Sequence, residues 1–203
     1  MKQTYRSKTA FVLGWVWLAF VAFNIWDLTA RYNGKPSLVA GAVLGALTAV
    51  VYLVALRPAT VVTEEGLVGR NPLRSTFVPW ASVNDVVVAH TINVRYGAEQ
   101  VLRLWTPMST ARERARAQRR AAPRPQRGRF QTEPTLSKAE QAAAEAFAGK
   151  THADWVGQQI TERAESARRR DVEVPPARAS WAIDSFAVLA AAIALVVMAV
   201  VIG

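Results

Sequence analysis

Hydrophobic positions along the chain fall into three long runs, with a stretch of different period between the second and the third. Residues 10–23, AFVLGWVWLAFVAF, are apolar throughout, and NIWDL extends them to about Leu28. Residues 38–56 form a 19-residue run that holds Thr48, and residues 186–202 are 17 consecutive apolar positions preceded by Trp181. A bilayer core takes roughly 20 residues of helix, so the second run suffices alone and the other two suffice with their flanks. From Arg57 to Trp105 the pattern changes to that of strands. ATVVT, LVGRN, STFVPW, VNDVVVAHT, INVRY and QVLRLW are separated by EEG, NPLR, WAS and GAE, which predicts five to six short antiparallel strands. One face of such a meander must be covered.

The cover is expected further along. SKAE (Ser137–Glu140) has a capping-box pattern and opens AEQAAAEAFA, which Gly149 stops. THAD (Thr151–Asp154) is a looser cap. The helix it opens places Val156, Ile160, Ala164 and Ala167 on one stripe with Trp155 beside them, and Trp80 and Trp155 read as core residues. Pro107, Pro123, Pro125 and Pro134 mark about 107–136 as a linker or insertion. The expected organisation is a tail at 1–9, a helical hairpin at 10–56 (about 10–28 and 38–56) and a domain at 57–170. A linker at 171–181 and a third membrane helix at 182–203 complete it.

Lys and Arg in short flanks orient membrane helices. Lys2, Arg6 and Lys8 precede the first run, Arg31 and Lys35 lie in the first loop, and Arg57, Arg70 and Arg74 follow the second run. Arg168, Arg169, Arg170 and Arg178 precede the third. This predicts a multi-pass protein of the cytoplasmic membrane, with the N-terminus and the strand-rich part in the cytosol and the C-terminus outside. A cleaved signal over residues 1–30 is the alternative; DLTARYNG offers only a weak cleavage site, and Trp15 and Trp17 suit a retained anchor. Gly41 and Gly45 let another helix approach the second run closely. Packing within the hairpin is preferred, with homodimerisation as the other reading.

Composition sharpens the picture at one place. The formal charge is +10, and ARERARAQRRAAPRPQRGRF (residues 111–130) supplies +7 of it through eight Arg and one Glu. The rest of residues 57–181 is neutral, with 12 basic and 12 acidic residues. The absence of cysteine excludes disulfides, thiolate zinc sites and Cys nucleophiles. His90 and His152 lack ligand-like spacing, no nucleophile elbow occurs, and Gly66 and Gly69 belong to a hairpin and not to a phosphate loop. No catalytic, metal or cofactor site is expected.

RPATVVTEEGLVGRNPLRSTFVPWASVNDVVV resembles the bacterial PH-like domain of small actinobacterial membrane proteins of the low-molecular-weight protein antigen type. The resemblance rests on Arg57 and Pro58 leaving a helical hairpin, the Glu65–Gly66 turn, RNPLR, and Val78–Val83 with Pro79 and Trp80. It implies an antiparallel, partly open barrel closed at one end by a C-terminal helix, without catalytic residues or cofactor. The fold class is therefore membrane α plus a β-rich PH-like domain. The Arg-rich insertion and the third apolar run depart from the family.

Glu64 and Glu65 in the first hairpin turn oppose a phosphoinositide headgroup, while Arg70 and Arg74 read as solvated strand-end charges. In the Arg run, Thr110 and Glu113 form a capping pair and Pro123 ends the helix it starts. Arg112, Arg114, Arg116, Arg119, Arg120, Arg124, Arg127 and Arg129 are the candidate contacts. Tethering near the inner leaflet ranks anionic lipid first. An acidic protein partner follows, and nucleic acid comes last because aromatic platforms are missing before Phe130; a passive linker remains. The expected function is a non-enzymatic membrane protein presenting a PH-like domain for protein interaction or scaffolding, with anionic-lipid binding through the Arg run as the alternative.

Overall fold

The structure is a computed structural model that describes residues 2–121, 149–170 and 175–202. Among the described residues, three helices are long and apolar enough to cross a membrane. α1 (Lys8–Ala30) starts at Ser7, whose side chain accepts from the Ala10 amide and satisfies one of the free first-turn donors. α2 (Lys35–Val51) has Pro36 in its first turn, where a missing N–H costs nothing, and it continues through a π turn at Tyr52–Leu56.

Among the described residues the chain forms eight strands: β1 (Gln3–Tyr5), β2 (Ala59–Val62), β3 (Gly66–Arg70), β4 (Arg74–Pro79), β5 (Val83–Val88), β6 (Thr91–Tyr96), β7 (Gln100–Met108) and β8 (Arg178–Trp181). They form two antiparallel sheets, ordered β1-β2-β3-β4-β8 and β5-β6-β7, which do not close into a barrel. α3 (Ala111–Ala121) follows β7, α4 (His152–Arg168) packs on the sheets, and α5 (Ile183–Ile202) ends the described chain.

The core lies between the sheets and α4. Val62, Leu67, Val78, Trp80, Val83, Ile92, Val94 and Leu104 meet Val156, Ile160 and Ala164 of α4 there. Thr151 and Asp154 cap α4 reciprocally, so the looser cap of the sequence is a full capping box. Gly66 is required by packing: a Cβ there would collide with the Val78 carbonyl oxygen across the β3–β4 pair.

The register places three chain crossings at one end of the larger sheet. Tyr5 pairs with Thr60, Ala59 with Arg70, and Arg74 with Trp181. These residues border α1, α2 and α5, so β1, β2 and β8 all meet the apolar helices at one end, here the helix end. Gly66 and Pro79 mark the far end.

Several expectations are revised. Residues 3–5, read as tail, and 178–181, read as linker, are the two edge strands of the larger sheet. Trp155 is not a core residue: it is 38 % exposed and rests edge-on against Tyr5, because it sits one position off the buried stripe. Gly45 faces α5 and not the first helix, since a Cβ there would lie 2.7 Å from the Leu195 Cδ1, whereas a Cβ at Gly41 would meet open space. The helix expected from Ser137 lies outside the described residues.

Candidate functional site

Two regions of the domain gather charge, one at each end. At the far end, the β2–β3 turn and the short 3-10 turn Trp80–Ser82 face the last turns of α4 across a cavity of about 610 Å³. Glu64 and Glu65 form one wall and Arg163 and Arg170 the other, over a floor that includes Pro79 and Trp80. The turn is rigid. Thr63 Oγ1 accepts from the Gly66 amide at 3.1 Å, and the Trp80 indole donates to the Thr63 carbonyl at 3.1 Å. The Trp80 ring is therefore fixed by a hydrogen bond as well as by burial.

At the helix end, β7 crosses the larger sheet. The Arg103 carbonyl accepts from the Asn71 amide side chain at 2.8 Å, and the Thr106 hydroxyl donates to the Tyr5 carbonyl at 3.4 Å. β7 is thereby tied to the strands that lead into the apolar helices, and α3 follows it after Ser109, whose amide donates to the His90 carbonyl at 3.0 Å. The α3 cap is reciprocal: the Thr110 amide donates to Glu113 Oε2 at 2.9 Å and the Glu113 amide to Thr110 Oγ1 at 3.2 Å. Arg114 folds back to Ser109 Oγ at 2.9 and 3.0 Å, while Arg112, Arg116 and Arg119 are exposed. Arg120 lies in α3, and Arg124, Arg127 and Arg129 lie outside the described residues. Arg70 and Arg74 are exposed at this same end, and the Arg74 guanidinium lies 5.9 Å from the Trp181 ring centroid.

The two ends differ in electrostatic character. The helix end carries Arg6, Arg70, Arg74 and the start of α3, and the far end sets carboxylates against guanidinium groups. Tyr5 spans part of the distance: its hydroxyl donates to Gln159 Oε1 at 2.6 Å. Burial pushes its pKa above the usual phenol value, against the opposing influence of Arg163 and of the Gln159 hydrogen bond. His90 and His152 serve local contacts, the first 2.8 Å from the Ser109 carbonyl and the second stacked on Trp155. Among the described residues no three His, Cys, Asp or Glu side chains come together as a metal site.

Sequence reasoning did not anticipate the far-end cavity, whose opposing walls lie about 100 residues apart in the chain. It also missed the tie between Asp184 and Arg57, the latter read only as a flanking charge and as part of the family resemblance. Pro58 and Pro79 are fully buried at opposite ends of the sheet, and Trp80 is 4 % exposed beside Pro79.

Residues 57–125 match the family described as Bacterial PH domain. The domain is PH-like. The matched segment takes in β2–β7 and α3, whereas β1, α4, β8 and the three long apolar helices lie outside it. A bacterial PH domain points to a protein-interaction or lipid-binding module. No curated protein and no solved structure matches the chain.

Proposed function

We propose that this chain is a non-enzymatic, multi-pass membrane protein that holds a PH-like domain rigidly at the cytosolic membrane surface and presents its far end to a protein partner. One observation carries the reading: β1, β2 and β8 of a single sheet each lead, within one or two residues, into a long apolar helix at the same end. With the helices in a bilayer, such a sheet cannot reorient freely. Its far-end cavity, with carboxylates facing guanidinium groups, points away from the leaflet that anchors it. A lipid headgroup of that leaflet would not reach it, whereas a soluble or neighbouring protein would. Lys and Arg flanking the first, second and third helices on the domain side support a cytosolic placement, with the C-terminus outside.

The test uses the full chain in native membranes with a photo-crosslinking residue at Ala81 or Ser166 in the far end, or at Arg70 in the helix end. Protein adducts at the far-end positions that vanish in Glu65→Lys are expected. Protein adducts confined to Arg70 would overturn the reading. A reporter fused after Gly203 that reads as cytosolic would remove the three-span topology.

A second reading has its own observation. α3 starts at the helix end with Arg112, Arg116 and Arg119 exposed, where an anionic leaflet would attract each by about 1 kcal/mol. Replacing the three by Gln in the detergent-solubilised chain is expected to reduce binding to vesicles containing phosphatidylglycerol, with the wild-type difference fading at high salt. Unchanged vesicle binding would leave α3 a solvated connection. The tether of α3 to a domain joined to apolar helices favours lipid over nucleic acid.

A further inference from the structure

α1 meets α2 and its π turn at Gly14 and Trp17. A Cβ on Gly14 would lie 2.6 Å from Leu56 Cδ2, so the Leu56 side chain lies against the α1 backbone, and the Trp17 indole donates to Thr48 Oγ1 at 3.2 Å. Beside these contacts an open groove of about 640 Å³ runs between the helices, within the ~300–1,000 Å³ typical of ligand cavities. Ala10, Leu13 and Trp17 form one wall and Val51 and Ala55 the other, almost wholly with apolar atoms. The α2 wall lies at the start of the π turn, where the extra residue per turn displaces the helix surface.

A cation stands at the domain end of the groove. Arg6 precedes the α1 cap; its guanidinium donates to the carbonyl of Leu56, next to the groove residue Ala55, at 3.3 Å and lies 5.3 Å from the Phe11 ring centroid. The first turn of α1 holds no acidic residue, and Arg6 has no carboxylate partner among the described residues. An apolar slot with an unpaired guanidinium at its end, on helices that span a bilayer, matches a phospholipid in both parts: chain in the slot, headgroup at the cation.

We propose that the α1–α2 groove seats an acyl chain of a phospholipid whose anionic headgroup is held by Arg6. This rests on the membrane-spanning part of the function proposed above. The purified full-length chain, mixed with equal amounts of dioleoylphosphatidylglycerol and dioleoylphosphatidylcholine, is analysed by native mass spectrometry for retained lipid. Preferential retention of phosphatidylglycerol is expected. Arg6→Gln should lower it about fivefold, leaving phosphatidylcholine unchanged. Ala10→Phe and Ala55→Phe fill the groove from opposite walls and should remove the retained lipid. Equal retention of the two lipids by the wild type would overturn the proposal. So would unchanged retention in Arg6→Gln, or in a correctly folded filled variant. If one filled variant loses its helix content, the other and the charge variant decide. Retention of the wild-type chain in carbonate-washed membranes reports separately on the spanning helices, so failure of the groove and failure of the membrane reading are distinguishable.

Discussion

The Arg57 guanidinium holds the Asp184 carboxylate through two contacts, Nε to Oδ2 at 2.9 Å and NH2 to Oδ1 at 3.3 Å, across 127 residues of chain. Arg57 also donates to the Asn71 carbonyl and, at 3.2 Å, to Ser75 Oγ, while the Tyr52 hydroxyl donates to Asp184 Oδ2 at 2.8 Å. One side chain thus ties the end of α2, the β3–β4 turn and the start of α5 together. This linkage couples the domain to the third helix beyond the strand pairing of β4 with β8.

The pair is asymmetric in burial, and that sets a prediction. The Arg57 side chain is 7 % exposed and that of Asp184 51 %. Asp184→Ala leaves a buried guanidinium without its counter-ion and should cost about 3 kcal/mol. Arg57→Met leaves a carboxylate that water can reach, and should cost about 1–2 kcal/mol. Thermal unfolding in detergent, followed by tryptophan fluorescence, compares the two. A larger loss for Arg57→Met would refute the argument.

Gly45 and Gly41 lie one turn apart on α2 and face different surroundings. A valine at 45 would drive its Cβ into Leu195 of α5, so Gly45→Val should lower stability by about 1–3 kcal/mol. Gly41→Val has room and should stay within about 0.5 kcal/mol. A cysteine pair placed on α2 and α5 measures the same contact by crosslinking efficiency, which Gly45→Val alone should reduce. Loss of a dimer in Gly41→Val would instead place a second copy of the chain on the open face.

Trp80 and Trp155 look equivalent in the sequence, but their truncations should not cost the same. Trp80 is 4 % exposed and hydrogen-bonded to Thr63, and Trp80→Ala should cost about 3–5 kcal/mol. Trp155 lies on the surface against Tyr5 and His152, and Trp155→Ala should cost about 1 kcal/mol, mostly lost ring contact. Denaturant midpoints of the two variants test this; equal shifts would contradict the burial pattern.

That contrast shows where sequence reading succeeds. β2–β7 are legible because each is rich in β-branched and apolar residues and is bounded by turn residues such as Glu65–Gly66 and Asn71–Pro72. The Thr110–Glu113 and Thr151–Asp154 caps are legible because their partners lie three residues apart. β1 and β8 are not, because strands of three and four residues have almost no period of their own. They become strands by pairing with β2 and β4. The far-end cavity and the Arg57–Asp184 tie escape for a related reason: the fold brings together residues that share no local pattern. In the Arg run, the start of the helix can be read from its cap, but the contacts of the preceding strand β7 with Tyr5 and Asn71 cannot.

Tyr5 gives a prediction in pH. Its pKa is raised, first by burial, so the folded state prefers the neutral phenol. The unfolded value is about 10. The neutral phenol's contribution is therefore complete below pH of about 10 and is lost as pH rises through the higher folded value. Tyr5→Phe keeps the ring contacts with Trp155 and His152 but removes the hydrogen bond to Gln159, with an expected cost of about 1 kcal/mol at neutral pH. Because phenylalanine does not ionise, the variant's stability should fall less steeply than the wild type's between about pH 9.5 and 11. Parallel alkaline unfolding of the two proteins decides the point: curves that stay equally spaced across that window would show that Tyr5 is not the titrating group.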